Sequence, residues 1–416
     1  MIPLQERNIL RELAKSCREL AETDENRERI NRIKAMHGLK PVRPPVWIDE
    51  IPWHEMDIEG RLVPRCESDE GKKIEDHFRK ILYRWEYIRA DMVVEDVLYI
   101  RKTYTDSGIG LTIQEETASG DNRNHIVSHH YRDQLDTEKK VEALKLPVIT
   151  AHPEADQRKL EELEEIFRGI LPVKLRGHEM FYCPWDDITQ LRGVENCLLD
   201  MMDNPELIHK TIKKFTEISV SRYTQMADLG LLDFNIPSLH CTPPYTDELP
   251  AKDYTGGPPR LKDIWFRGMA QIFVSASPAM HEEFDLRYMA PFMEQCGLSY
   301  YGCCEPLDKV IPFLKGIKNM RKIGVSPWAN VRSCAEQIGG DYVLARKPNP
   351  ALVSGNVDPG QIKAEISETL EACIENKCPF ELVLKDISTV GYKPQNLINW
   401  TKTVQEVIDR YYGAAP

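Results

Sequence analysis

The chain has 416 residues, 42% hydrophobic and 29% charged, a globular composition that excludes disorder and fibrous repeats. With 54 basic and 66 acidic residues its net charge is −12, which argues against nucleic acid or an anionic membrane as a main partner. No apolar run reaches the ~18–20 residues that span a bilayer, and the start MIPLQERNILREL has no secretory core. The 11 cysteines, two of them adjacent (Cys303 and Cys304), read as reduced thiols, so a cytoplasmic protein is expected.

In chain order, Ile9, Leu10, Leu13, Ala14, Cys17, Leu20 and Ala21 recur at helical spacing. A second amphipathic stretch runs from Glu28 to Met36 and ends at Gly38. Pro41, Pro44 and Pro45 then force an extended entry into a strand over Pro45–Ile51. This junction divides a helical arm, residues 1–40, from a main body, residues 41–416. Predicted strands follow at Val93–Ile100, Pro172–Leu175, Leu232–Ile236, Gln271–Val274, Leu298–Tyr301, Lys322–Val325, Tyr342–Ala345 and Phe380–Leu384. Predicted helices lie between and after them, at Glu154–Ile170, Pro205–Leu229, Ala279–Cys296, Pro306–Ile317, Val331–Ile338, Pro359–Glu375 and Pro394–Tyr412. Pro205 and Pro359 suit a first helical turn. Such alternation implies parallel strands with helical crossovers. About eight units, with no G-x-G-x-x-G after a strand, favour a closed α/β barrel over a doubly wound sheet. The expected fold is a (β/α)8 TIM-type barrel with an N-terminal helical extension.

On such a barrel the reactive groups follow the C-terminal ends of strands. That rule selects Asp49 and Glu50, Glu115 and Glu116, His178 and Glu179, His240 and Cys241, the run Tyr301 to Glu305, Trp328 and Asn330, and Asp386. In YYGCCEPL, alternation along an extended chain would put Tyr301, Cys303 and Glu305 on one face and Cys304 on the other. A thiolate and a carboxylate two residues apart make half a zinc site, and His240 and Asp386 at other strand ends could complete it. The plain alternatives are packing cysteines, a surface histidine in a proline-rich loop, and a solvated Lys385–Asp386 pair. His178 binds substrate or sits satisfied under the rim. Asp49 or Glu50 carries a proton or makes a rim salt bridge. Trp328 and Asn330 suit an apolar wall with one polar contact for a small aromatic ligand, or ordinary loop packing. His125, His129 and His130 read as solvated. The long segment Pro237–Lys262 reads as a lid or docking surface.

The stretches PVRPPVWIDE, LLDMMDNPELIHKTIKKFTEI, SPAMHEEFDLRYMAPF, LSYYGCCEPLDKVIPFLKGI and FELVLKDISTVGYKPQNLINW, in this order, resemble the uroporphyrinogen decarboxylase-like superfamily. The resemblance covers about residue 42 to the C-terminus and speaks to fold more than to reaction. Decarboxylases of that family carry R-Q-A-G-R after the first strand; here the chain reads WIDEIPW, and Asp49 and Glu50 would repel a polyanionic substrate. The corrinoid-dependent methyltransferase branch holds zinc with an H-x-C pair and a later cysteine. Cys303 matches that pattern, whereas Tyr301 stands in place of the histidine and Asp386 near the later cysteine. These departures argue against a thiol-activating zinc and for a methyl compound that arrives as donor. The helical arm and the Pro237–Lys262 loop resemble those of members that demethylate methyl donors.

The resemblance thus implies a methyltransferase that moves a methyl group from a small methylated donor to cob(I)alamin on a separate corrinoid-binding protein. A methoxylated aromatic is the expected donor, met by aromatic residues such as Phe181, Tyr182, Tyr301 and Trp328. The substrate-binding set is Asp49, Glu50, His178, Phe181, Tyr182, Trp328 and Asn330. Departure of an oxygen needs a hydrogen-bond donor or Lewis acid. Tyr301, His240, Glu305 and Asp386 are the expected catalytic residues, with zinc as a candidate metal held by His240, Cys303, Glu305 and Asp386. The nucleophile is the partner's cobalt, and no protein nucleophile is expected. The alternatives are a decarboxylase of a small acid or tetrapyrrole, a zinc-dependent methylcobalamin:thiol methyltransferase, and a corrinoid- or tetrapyrrole-binding barrel without turnover. A homodimer is one assembly left open.

Overall fold

The computed structural model describes residues 2–118 and 127–413. The N-terminal arm forms α1 (Leu4–Ala21) and α2 (Asp24–His37), with the Thr23 hydroxyl accepting the Asn26 N–H at 3.2 Å between them. Leu10, Ala14, Cys17 and Ala21, one stripe of α1, are buried in an apolar cluster with Phe78 of α3 (Asp69–Tyr87) and Phe167 of the helix Pro153–Phe167.

The strands that position the site are β1 (Val46–Ile48), β2 (Leu98–Arg101), β3 (Val173–Arg176), β4 (Met180–Tyr182), β5 (Trp265–Gly268), β6 (Leu298–Tyr301), β7 (Met320–Val325), β8 (Val343–Arg346) and β9 (Phe380–Leu384). Seven of them form one parallel sheet in the order β1-β9-β8-β7-β6-β5-β4. β2 pairs in parallel with β3, which runs through residues 177–179 into β4. The fold is therefore mixed α/β, with a curled parallel sheet surrounded by helices. β8 and β9 are buried at every position, as strands covered on both faces must be.

A closed ring was expected; among the described residues it stays open between β1 and β2. The edge of β1 is occupied by other groups. Asp91 takes the Val46 N–H on its carboxylate at 2.7 Å and gives its own N–H to the Val46 carbonyl at 2.7 Å. Arg84 of α3 donates to the Ile48 carbonyl at 3.0 Å. With these groups satisfied, β1 has no further call for a neighbouring strand.

Outward residues of the strands, such as Phe266, Ile323, Leu344 and Leu382, join helix residues in the largest apolar cluster. Inward residues meet something less expected. The segment after Ile236 runs through the inside of the curl, from the C-terminal ends of the strands towards the opposite end. Leu239 packs with Trp265 and Tyr300, and Cys241 with Trp47, Val343 and Val383. The Trp265 indole donates to the Pro244 carbonyl at 2.9 Å. At the far end His37 Nδ1 donates to the Tyr245 carbonyl at 2.7 Å, and Lys34 pairs with Asp247 at 2.8 Å. The first part of the supposed lid, Pro237–Lys262, is thus an interior filler.

Leu298–Tyr301, Phe380–Leu384, Val331–Ile338, Pro359–Glu375 and Pro394–Tyr412 have the bounds read from sequence. Gln271–Val274 is not a strand: Gln271–Ser275 is a 3-10 turn, and the strand lies earlier at Trp265–Gly268. Leu232–Ile236 contributes a single bridge, Leu232 to His178. The expected helix Pro306–Ile317 shrinks to Ile311–Leu314. No helix among the described residues is long and apolar enough to cross a membrane.

Candidate functional site

At the C-terminal end of β6, Gly302 takes φ 102° and ends the strand's alternation. A Cβ on the facing Gly324 of β7 would stand 2.6 Å from the Gly302 carbonyl, so the loop lies flat on the sheet only because both positions are glycine. The Gly302 carbonyl accepts from Arg267 at 3.0 Å and from Lys347 at 3.2 Å, and Lys347 also donates to the Cys303 carbonyl at 2.8 Å. Glu305, buried, accepts the backbone N–H of Cys303 at 2.9 Å and of Ala270 at 3.3 Å. The loop is held rigidly, with the Cys303 thiol inside.

Around Cys303 Sγ stand Lys385 Nζ at 3.1 Å, His240 Nε2 at 3.6 Å and Cys304 Sγ at 3.6 Å. The Cys304 hydrogen bond, the charges of Lys347 and Arg267, and the His240 contact outweigh burial and hold Cys303 far below the usual thiol range. Cys304 is pushed the other way by its bond to Cys303 and by burial. Burial opposes the charge on Lys385, yet Cys303 and its other anionic neighbours hold the amine above its usual value. Burial lowers His240, so its Nε2–H is assigned as donor to the sulfur. Arg267 and Lys347 are buried with no carboxylate in salt-bridge contact among the described residues, and an ionised Cys303 contributes countercharge to them, with Asp186 and Glu381 at longer range. A thiolate fixed among cations is the centre of the site.

Beside it opens a cavity of about 500 Å³, with Cys304, Lys347, Lys385 and Asp386 on its polar side. Trp328, 70% exposed, and Pro327, Pro348 and Pro350 form its apolar walls. Cys304 Sγ is 3.1 Å from Asp386 Oδ2, and the Asp386 N–H donates to Glu50 at 2.8 Å. The Phe181 ring lies 4.7 Å from that of His240. His240, Cys303, Cys304, Asp386, Glu50, Phe181 and Trp328 are therefore gathered at one end of the sheet.

Other expected residues are turned away. Tyr301 faces the helices behind the sheet, where its hydroxyl donates to Asp285 at 2.7 Å beside His281, at a π-helical turn over Glu282–Leu286. Gly302 broke the alternation that would have put Tyr301 and Cys303 on one face. Tyr182 packs outside against Phe266 and Phe292, at 5.3 and 5.8 Å. His178 is held through Nε2 by the Lys102 carbonyl at 2.7 Å and touches the Tyr104 ring. Asn330 caps the helix Val331–Ile338 by accepting the Ser333 N–H at 3.0 Å. Asp49 accepts the Glu50 N–H at 2.8 Å and stays at the rim. Glu115 and Glu116 lie on an exposed hairpin; Glu115 pairs with His129 at 2.6 Å, and His125 is outside the described residues.

The expected zinc ligands do not fit a metal. Among the described residues no three His, Cys, Asp or Glu side chains are grouped to hold an ion. His240 and Cys303 are adjacent, but the Lys385 ammonium stands against the sulfur, Glu305 commits both oxygens to backbone N–H groups, and Asp386 faces Cys304. Repulsion between a metal cation and Lys385 at this range opposes the assignment.

The residues overlooked in the sequence are the cations Arg267, Lys322 and Lys347, with Glu381 and Asp186, while Lys385 was read there only as a solvated partner of Asp386. Lys322 and Glu381 form a wholly buried pair at 2.8 Å below the site. Burial, then Asp187, Cys303 and Glu305, push Asp186 up to about 6. Lys347 and Lys385 each directly follow the last residue of a buried strand, Arg346 and Leu384.

No family model matches the sequence, and no curated protein matches it. Among solved structures the chain is similar to a methyltransferase from Methanosarcina mazei, at 13% identity and a TM-score of 0.49, over 92% of this chain and 99% of that chain.

Proposed function

We propose that the chain is a divergent member of the uroporphyrinogen decarboxylase-like superfamily, an opened (β/α)8 barrel of the cytoplasm. On this reading it moves a methyl group from a small methoxylated aromatic to cob(I)alamin on a separate corrinoid-binding protein. The observation that carries this reading is the cavity where Trp328 and three prolines face Lys347 and Lys385. Its apolar walls suit a benzene ring, and its two ammonium groups suit the oxygen that leaves.

In the transfer the methyl–oxygen bond would break with its pair left on oxygen as a phenolate, and the reduced corrinoid, as co-substrate, would supply the electron pair that takes up the methyl group. Lys347 and Lys385 offset the phenolate charge. The Cys303 thiolate keeps Lys385 protonated, a positioning and electrostatic role. These lysines take the task assigned from sequence to Tyr301, His240 or a metal.

The test is anaerobic incubation with cob(I)alamin and a panel of methoxybenzoates, read by methylcobalamin absorbance. Wild type should methylate the corrinoid, and Lys385→Met should be slower by about 100-fold, the usual loss on removing one stabiliser of developing charge. Folded wild type that gives no methylcobalamin across the panel sinks the proposal. One observation favours a second reading, decarboxylation of a small acid. Arg267 and Lys347 are buried inside with no carboxylate in salt-bridge contact among the described residues, while Asp49 and Glu50 keep to the rim. Corrinoid-independent release of carbon dioxide would mark that activity.

A further inference from the structure

The unclosed seam between β1 and β2 holds a second cavity of about 610 Å³ that shares no lining residue with the first. Its walls include Trp47 from β1, Tyr99 from β2, Arg176 from β3, Trp53, and Arg84 from α3.

Two arginines face this space with unfinished hydrogen bonding. Arg176 is 4% exposed; it pairs with Glu95 and lies 3.4 Å from the Tyr99 ring centroid, yet its Nε–H has no partner among the described residues. Arg84 donates to the Ile48 carbonyl and lies 5.8 Å from the Trp47 ring centroid. Its Nε–H is likewise buried and unpartnered, and among the described residues no carboxylate is in salt-bridge contact with it, Asp49 acting on its charge only at longer range. Buried donors left unpaired are costly, and a guanidinium without a counter-ion more so. A cavity this large, flanked by two indoles and a phenol ring, has room for more than water. Flat π surfaces recognise a flat ring, and guanidinium donors recognise a carboxylate.

We propose that the seam is a binding site for a planar aromatic carboxylate, stacked among Trp47, Trp53 and Tyr99 with its carboxylate toward Arg84 and Arg176. Occupancy would give Arg84 a directly bonded anion and fill the opening left where the sheet fails to close. The site stands apart from Cys303 and does not depend on the reaction proposed there.

The test is titration calorimetry on the full chain with 2-naphthoate and its neutral analogue 2-naphthalenemethanol. Carboxylate binding should include one site per chain that persists in Lys385→Met, and the alcohol should bind that site weaker by about tenfold or more, as expected for a lost charge-assisted bond. Arg84→Met should weaken 2-naphthoate by a similar factor, while Lys385→Met at the other cavity leaves it unchanged. Should Arg84→Met fail to fold, Ile81→Trp, which fills the seam cavity without removing a charge, should abolish binding. Absence of binding, equal affinity for acid and alcohol, or loss of binding in Lys385→Met but not in the seam variants overturns the proposal.

Discussion

Cys303 is a residue whose neighbours decide its chemistry. Sulfur buried away from charge would hold its proton, as burial alone pushes Cys17 and Cys296 up to about 12. Three cations and two hydrogen-bond donors reverse that outcome at position 303. The folded-state pKa is depressed, so at mildly acidic pH, about 6, the folded chain carries this thiolate while the unfolded chain does not. Its contribution to stability therefore grows as pH rises, is complete above the ordinary value of 9.0, and is lost as pH falls. Ultraviolet thiolate absorbance at pH about 6 should be present in wild type, absent in Cys303→Ser, and shifted to higher pH in Lys385→Met. Identical absorbance in wild type and Cys303→Ser would show that the sulfur is protonated and remove the electrostatic centre of the site.

At the scale of elements, the sheet carries charge inside where hydrophobic packing is the rule. Lys322 on β7 and Glu381 on β9 are fully buried, and Lys322 also donates to Thr242 of the interior segment at 3.1 Å. Burial depresses the lysine and raises the glutamate, and each partner's charge opposes that shift in the other. Lys322→Met alone strands a buried carboxylate and should cost about 3–5 kcal/mol in urea melts. Lys322→Met with Glu381→Leu removes both charges and should recover most of that loss; a double variant as unstable as the single one would refute the pairing. These buried charges also explain what could be read from the sequence. Phe380–Leu384 was legible because four of its five residues are apolar despite Glu381, and Pro359–Glu375 because a proline at the first helical turn is a local signal. Trp265–Gly268 was hidden because Arg267 interrupts its apolar pattern, though it points inward over the Tyr300 ring at 4.2 Å. The strand-end rule found His240, Cys303 and Asp386. It could not say that Tyr301 faces outward, because parity along a strand does not reveal which face is inside.

For the molecule as a whole, the N-terminal arm and the interior segment form one mechanical unit with the site. The chain passes from His240 and Cys241, both in left-handed backbone conformation, down through the sheet to Tyr245, which is held by His37 of α2. Arg321 at the foot of β7 ties the same end together, donating to the His37 carbonyl and pairing with Glu248, Nη2 to Oε2 at 2.8 Å. α1 meanwhile covers Phe78 and Phe167, apolar surface that would otherwise face water. Removing residues 1–37 should therefore do two separable things. Exposure of the α1 footprint should cause aggregation. Release of Tyr245 should loosen the segment that presents His240 to Cys303, even in whatever fraction stays soluble. Proteolysis provides the readout: in the intact chain, cuts should fall in the exposed turn around Gly256 and Gly257 and spare residues 238–244, where backbone is buried. In the truncated chain new cuts should appear within 238–244. A soluble truncated protein with the intact cleavage pattern would mean that the arm is a separate cover and that the interior segment is held by the sheet alone.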